Sequence, residues 1–242
     1  MRHLAFAFLM AACASPNHAI DPSVTPRPAD AAPQAVLDAR AHVVAVYVNA
    51  SCDALPVADD QKRGTGFWVN STTIATAGHA MDARDRMFPN FAVVGPDGCM
   101  DGRYADWFEH VDLLFIMVGG KHEGAVAFRT ERPAQDEPLW QYVFQGRNDL
   151  TMSGIFRPMR LRADEIDPSM VHFESRPAPS PGDSGAPVFD AQGCLVGMTQ
   201  AIGSYEKKPE LGTFGVHLTS LVIRHYLASC AGGGPCGDET PP

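Results

Sequence analysis

The sequence predicts an all-β chain: two six-stranded antiparallel β-barrels followed by one C-terminal α-helix. Three observations predict it. Short β-branched and apolar runs recur along the chain, each bounded by turn residues, where a helical bundle would show 3.6-residue periodicity. Glycine and proline are plentiful, at 22 and 20 of 242 residues, as many tight turns require. A charged, proline-bearing segment, Arg129 to Pro138 (RTERPAQDEP), divides two stretches of the same texture.

The elements follow in order. Residues 1–19 read as an export signal: Arg2 gives a weakly positive start, and Leu4 to Ala12 is apolar but too short to span a bilayer. Two processing routes stay open. Ala12 and Ala14 form an A-x-A cleavage site, while Met10-Ala11-Ala12-Cys13 is similar to a lipobox in which Cys13 would carry a lipid anchor. Residues 20–40 are rich in Pro, Ala and Asp and read as a linker or propeptide. Residues 41–130 hold the strands of the first barrel: Val43 to Val48 (VVAVYV), Gly64 to Val69, Thr73 to Ala77, Phe91 to Gly95 and Asp112 to Val118. Asn70-Ser71 supplies one of the turns. Residues 131–218 repeat the texture and make the second barrel. In residues 219–230, Leu221, Val222, Tyr226 and Leu227 fall at helical spacing behind Thr219 or Ser220 as N-cap. Residues 231–242 form a Gly/Pro-rich tail.

The net charge of −9, with no Lys/Arg block, argues against nucleic acid and anionic membrane as main partners, since both demand a basic footprint. No other run is long and apolar enough to be transmembrane. Beyond Cys13 there are five cysteines. An exported chain can form disulfides: Cys52 and Cys99 lie in turn-rich loops that could meet, Cys230 and Cys236 bracket a stretch that could close into a small loop, and Cys194 is the candidate for the thiol left over, with the pairing open. No cysteine or histidine spacing matches a metal site, and no cofactor is expected.

Three segments carry chemistry. His79, in TAGHA, is flanked by small residues directly after an apolar strand, which leaves room around an imidazole. Asp112 opens a strongly apolar strand, where a partly buried carboxylate could fix the tautomer of a histidine. Ser184 lies in Pro181-Gly182-Asp183-Ser184-Gly185-Ala186-Pro187-Val188. The glycines there permit a tight bend that points the hydroxyl outward and gathers the N–H groups of Gly182 and Ser184.

GTGFWVN, TIATAGHA, VDLLFIMV, PGDSGAPVF, GCLVGMTQA and FGVHLTSLVIRHYL together resemble the chymotrypsin-like serine peptidases of the trypsin superfamily, bacterial type. The order His, Asp, Ser is the order of that family. The resemblance implies a secreted serine endopeptidase that acts on a protein or peptide substrate. Ser184 is then the nucleophile, His79 the general base, Asp112 its orienting acid, and the amides of Gly182 and Ser184 the oxyanion hole. Asp183 is implied to be a structural carboxylate. Ala178, Thr199, Gln200, Ala201 and Ile202 are implied to line the substrate pocket. Ala178 takes the place that carries Asp in Arg/Lys-specific members, and Thr199 the place of a His in glutamate-specific ones. A shallow pocket for small or medium apolar side chains is the resulting expectation, with His217 either near its floor or in the core. The alternative is a non-catalytic binding protein, secreted or lipid-anchored, that retains the fold.

Overall fold

The computed structural model describes residues 32–55, 62–80, 90–134, 137–144, 154–161, 171–176, 178–180, 182–204 and 213–230. The expected export signal over residues 1–19, Cys13, Cys236 and the expected tail after residue 230 lie outside the described residues.

Thirteen strands are described. Six of them close the first barrel: β1 (Val43–Val48), β2 (Lys62–Trp68), β3 (Thr73–Ala77), β4 (Asn90–Gly95), β5 (Gly98–Phe108) and β6 (Leu113–Val118), in the order β1-β2-β3-β6-β5-β4. Every pairing is antiparallel. The β-branched run of β1 is buried along its whole length, as a strand inside a closed barrel must be. The turn from β2 to β3 is fastened by Asn70, whose Oδ1 accepts from the Thr72 amide at 2.9 Å and from its hydroxyl at 3.2 Å. Val44, Val46, Trp68, Ile74, Phe91, Leu114 and Ile116 fill the barrel.

The second half holds β7 (Ala127–Phe128), β8 (Pro138–Phe144), β9 (Gly154–Leu161), β10 (His172–Arg176), β11 (Pro187–Phe189), β12 (Cys194–Ser204) and β13 (Thr213–Thr219). Their order is β11-β8-β9-β10-β13-β12, and an extra pairing of β11 with β12 returns the sheet on itself. The six strands of that circuit are antiparallel; the two-residue β7 adds to β12 in parallel. The helix α2 (Ser220–Cys230) follows β13 directly.

A large apolar cluster joins the halves. It takes Phe67, Ala75, Leu113 and Phe115 from the first barrel, Tyr142, Phe189, Met198 and Leu218 from the second, and Val222, Ile223 and Tyr226 from α2. Tyr226 lies 4.2 Å from Phe108, centroid to centroid, so the last helix packs back onto the first barrel. Among the described residues no helix is long and apolar enough to cross a membrane.

Two expectations are corrected here. The linker or propeptide expected over 20–40 is folded at its end. Helix α1 (Gln34–Asp38) and a 3-10 turn (Ala39–His42) lead into β1, and Val36 is wholly buried in the cluster between the halves. One well-placed valine is enough to anchor a segment whose composition looks non-packing. The second correction is Cys194, which is disulfide-bonded and not a free thiol; Cys230 is bonded too. The Cys52–Cys99 bridge is present, closing a separation of 47 residues.

Candidate active site

Two barrels packed side by side leave a seam, and His79, Asp112 and Ser184 meet along it. Strand β3 ends at Ala77 and a 3-10 turn (Gly78–Ala80) carries His79. Asp112 follows another 3-10 turn (Glu109–Val111) and takes a left-handed conformation, φ 53° and ψ 42°, directly before β6. Aspartate tolerates that region better than most residues. Because β3 pairs with β6 and Ala77 opposes Leu113, the two turns are neighbours at one end of the barrel.

The Asp112 carboxylate takes two hydrogen bonds from His79. The backbone N–H donates to Oδ1 at 2.6 Å, and Nδ1 lies 2.6 Å from Oδ2. On the other edge of the ring, Nε2 is 2.8 Å from Ser184 Oγ. With Nδ1–H donating to the carboxylate, Nε2 is left as an acceptor for the serine hydroxyl. The hydrogen bond to Asp112 raises the His79 pKa above its ordinary value. Partial burial opposes this, and the charge of Asp112 adds to it. The side chains remain 48% and 30% exposed, so a substrate can reach them.

Ser184 sits in a bend that the glycines make. Gly182 has φ 95° and Gly185 φ 80°, values that side chains rarely adopt. Gly185 also leaves no room: a Cβ there would lie 2.0 Å from the Thr65 carbonyl oxygen and 2.4 Å from Thr76 Oγ1. The bend is pinned from both halves. The Thr65 amide donates to the Ser184 carbonyl at 2.9 Å, and the Gly185 amide donates to the Thr199 carbonyl at 2.8 Å. Asp183 is buried and braces its own loop, its Oδ2 accepting from the Ser180 amide at 2.7 Å.

The residues expected around a substrate pocket divide. Ala201 and Ile202 are exposed on β12, and Ala178 is half-buried. Thr199 and Gln200 turn inward. Thr199 Oγ1 accepts from Gln141 Nε2 at 2.7 Å and lies 3.2 Å from His217 Nδ1, and the Gln200 carboxamide donates to the Val111 carbonyl. The Thr199 and Gln200 side chains thus make internal bonds, while Ala201 and Ile202 face solvent.

His217 forms a second serine–histidine contact, its Nε2 lying 2.6 Å from Ser175 Oγ. Both residues are fully buried, and burial pushes the His217 pKa down to about 3. A ring with no route to solvent and both nitrogens engaged serves packing, stacked on Phe173 at 4.8 Å. Among the described residues no His, Cys, Asp and Glu cluster could hold a metal ion.

Residues 64–198 match the family model described as a trypsin-like peptidase domain. No curated protein matches the chain at a significant level. Solved structures share the fold at low identity. The Rv3671c protease of M. tuberculosis in its active form is 19% identical, with a TM-score of 0.62 over 93% of this chain and 97% of that one. The serine endoprotease from Yersinia pestis is 16% identical, with a TM-score of 0.64 over 88% of this chain and 70% of that one. The MamO protease domain of Magnetospirillum magneticum is 16% identical, with a TM-score of 0.56 over 77% of this chain and 96% of that one.

Proposed function

The chain belongs to the trypsin-like peptidase domain family, and from that premise we propose that it is an exported serine endopeptidase working through His79, Asp112 and Ser184. One observation carries the reading: a continuous hydrogen-bonded line from the Asp112 carboxylate through both ring nitrogens of His79 to the Ser184 hydroxyl, open to solvent.

The reaction follows from that line. Ser184 Oγ attacks the scissile carbonyl while Nε2 of His79 accepts the hydroxyl proton. The imidazolium so formed keeps its Nδ1–H on Asp112, whose negative charge offsets the new positive one. The carbonyl oxygen becomes an oxyanion, and the amides of Gly182 and Ser184 are the donors assigned to it. Collapse breaks the C–N bond, and Nε2–H gives its proton to the leaving amine. Water then attacks the acyl-enzyme by the same route, with His79 again as base, and releases the acid.

Ala178 is no carboxylate and Ile202 is an exposed apolar side chain on β12, which supports a preference for small or medium apolar side chains beside the cleaved bond. Export is supported by the Cys52–Cys99 bridge, which needs an oxidising compartment to persist.

A fluorophosphonate probe tests the reading. It should label the folded, processed protein at Ser184, and Ser184→Ala should abolish both labelling and cleavage of a peptide library. A folded wild-type protein that takes no label and cleaves nothing would instead be a non-catalytic binding relative.

A further inference from the structure

Strand β12 runs from Cys194 to Ser204 beside β13, and its register slips once. Thr199 faces His217 and Ala201 faces Val216, which leaves Gln200 as an extra residue without an opposite number. A bulge of this kind re-aims the side chain it carries. Gln200 is buried, and its carboxamide crosses from the second barrel to the first. There Nε2 donates to the Val111 carbonyl and lies 3.4 Å from the Asp112 carbonyl.

The target is the left-handed turn that presents Asp112. Two backbone amides hold that turn from within its own barrel, beside the His79 ring: the Gly78 amide donates to the Asp112 carbonyl at 3.0 Å, and the His79 amide donates to Oδ1. Both fix the acid relative to the base. Neither fixes the pair relative to Ser184, which belongs to the other barrel. The Thr65 amide ties the Ser184 carbonyl to β2, and Gln200 adds a tie to the acid's own turn, because Thr199, its neighbour in the chain, accepts from the Gly185 amide with its carbonyl. The nucleophile loop and the acid's turn are thus held by adjacent residues of one strand.

We infer that Gln200 is a positioning residue for the triad: its carboxamide, aimed by the bulge in β12, fastens the Val111–Asp112 turn of the first barrel to the strand that also holds the Ser184 loop. This rests on the peptidase reading above. It assigns Gln200 a place behind the triad and not in the substrate pocket.

The test compares the full chain with Gln200→Met, which keeps the length and removes the donor, and with Gln200→Asn, which keeps the carboxamide but draws it back by one methylene. In both variants kcat should fall, by about 10- to 100-fold for Met, because a small misplacement of reacting groups is costly. KM should stay within about two-fold. The acid limb of kcat/KM should move to lower pH, since a less well-seated Asp112 raises the His79 pKa less. The proton NMR resonance of His79 Nδ1–H should shift upfield or vanish. Unchanged kcat and acid limb in the folded variants would overturn the inference. So would a loss confined to KM, which would make Gln200 a substrate contact. The NMR comparison needs no turnover. If the wild type proved inactive the peptidase reading would fall by itself, while the resonance would still report whether Gln200 seats Asp112.

Discussion

The Asp112 carboxylate grips His79 at two points, its backbone N–H and its Nδ1, both at 2.6 Å. Two contacts to one carboxylate fix the ring's plane as well as its tautomer. They also tie the titration of His79 to the integrity of Asp112.

Replacing the acid should therefore change both rate and pH profile. In the wild type the acid limb of kcat/KM should lie above the ordinary imidazole value of 6.5, because the hydrogen bond from Asp112 raises the His79 pKa. In Asp112→Asn that pull is gone, partial burial pushes the ring down, and the limb should fall below 6.5. At its optimum kcat should drop by about 10⁴-fold, as the amide favours the wrong tautomer. A pH–rate series on the two proteins reads both effects.

Gly185 is the residue whose replacement should do most harm for least added mass. With φ at 80° and the Thr65 carbonyl in the path of a Cβ, Gly185→Ala must move either β2 or the nucleophile loop. The expected cost is about 2 kcal/mol or more in stability, with near-complete loss of fluorophosphonate labelling. Thermal melting and the labelling rate check the two parts separately.

Arg129 should prove structural. It is buried, with Nη1 on the Glu137 carboxylate and 3.6 Å from Asp190 Oδ2. Arg129→Met leaves two carboxylates without their cation, at a cost of about 3–5 kcal/mol near neutral pH. Burial already raises the Asp190 pKa, against the pull of its backbone hydrogen bonds and of Arg129. A raised acid takes up protons on folding, so the variant's deficit should shrink as the pH falls. Urea midpoints at neutral and mildly acidic pH measure it.

His217 predicts the opposite slope. Burial, with a smaller push from His172, lowers its pKa from 6.5 to about 3, so it stays neutral in the fold while the unfolded chain binds a proton. Its contribution to stability is full above 6.5 and is lost progressively as the pH falls toward about 3. His217→Gln keeps hydrogen-bonding capacity without the titration, and its stability should vary less over that window in denaturant unfolding.

The fold class was legible in the sequence for a physical reason: its strands and the glycine bend at Ser184 are written in short continuous strings. VVAVYV and LLFIMV have the length and the apolar character of buried strands, and the Ser184 segment bends because its glycines allow it. Features that depend on distant partners were not legible. Strand β5 is mostly exposed or half-buried, so GCMDGRYADWF shows no apolar run, and only its neighbours β4 and β6 make it a strand. The bulge at Gln200 exists because β13 fails to match β12 residue for residue, which no local reading of TQAIG reveals. The anchoring of α1 turns on Val36 finding a place between the halves, and the bonding of Cys194 is likewise a matter of tertiary proximity. For Gln200 it was the family resemblance, and not a local pattern, that associated it with substrate.

The first barrel closes using strands that all lie between Val43 and Val118. Its hydrogen bonding can therefore be complete before the second half has folded. Such an intermediate carries His79 and Asp112 but not Ser184, and the Thr65 amide and the Val111 carbonyl have nothing yet to hold. On the peptidase reading proposed above, the three residues come together only once β12 and β13 are in place and the second sheet docks, so the order of the chain delays the assembly of the site.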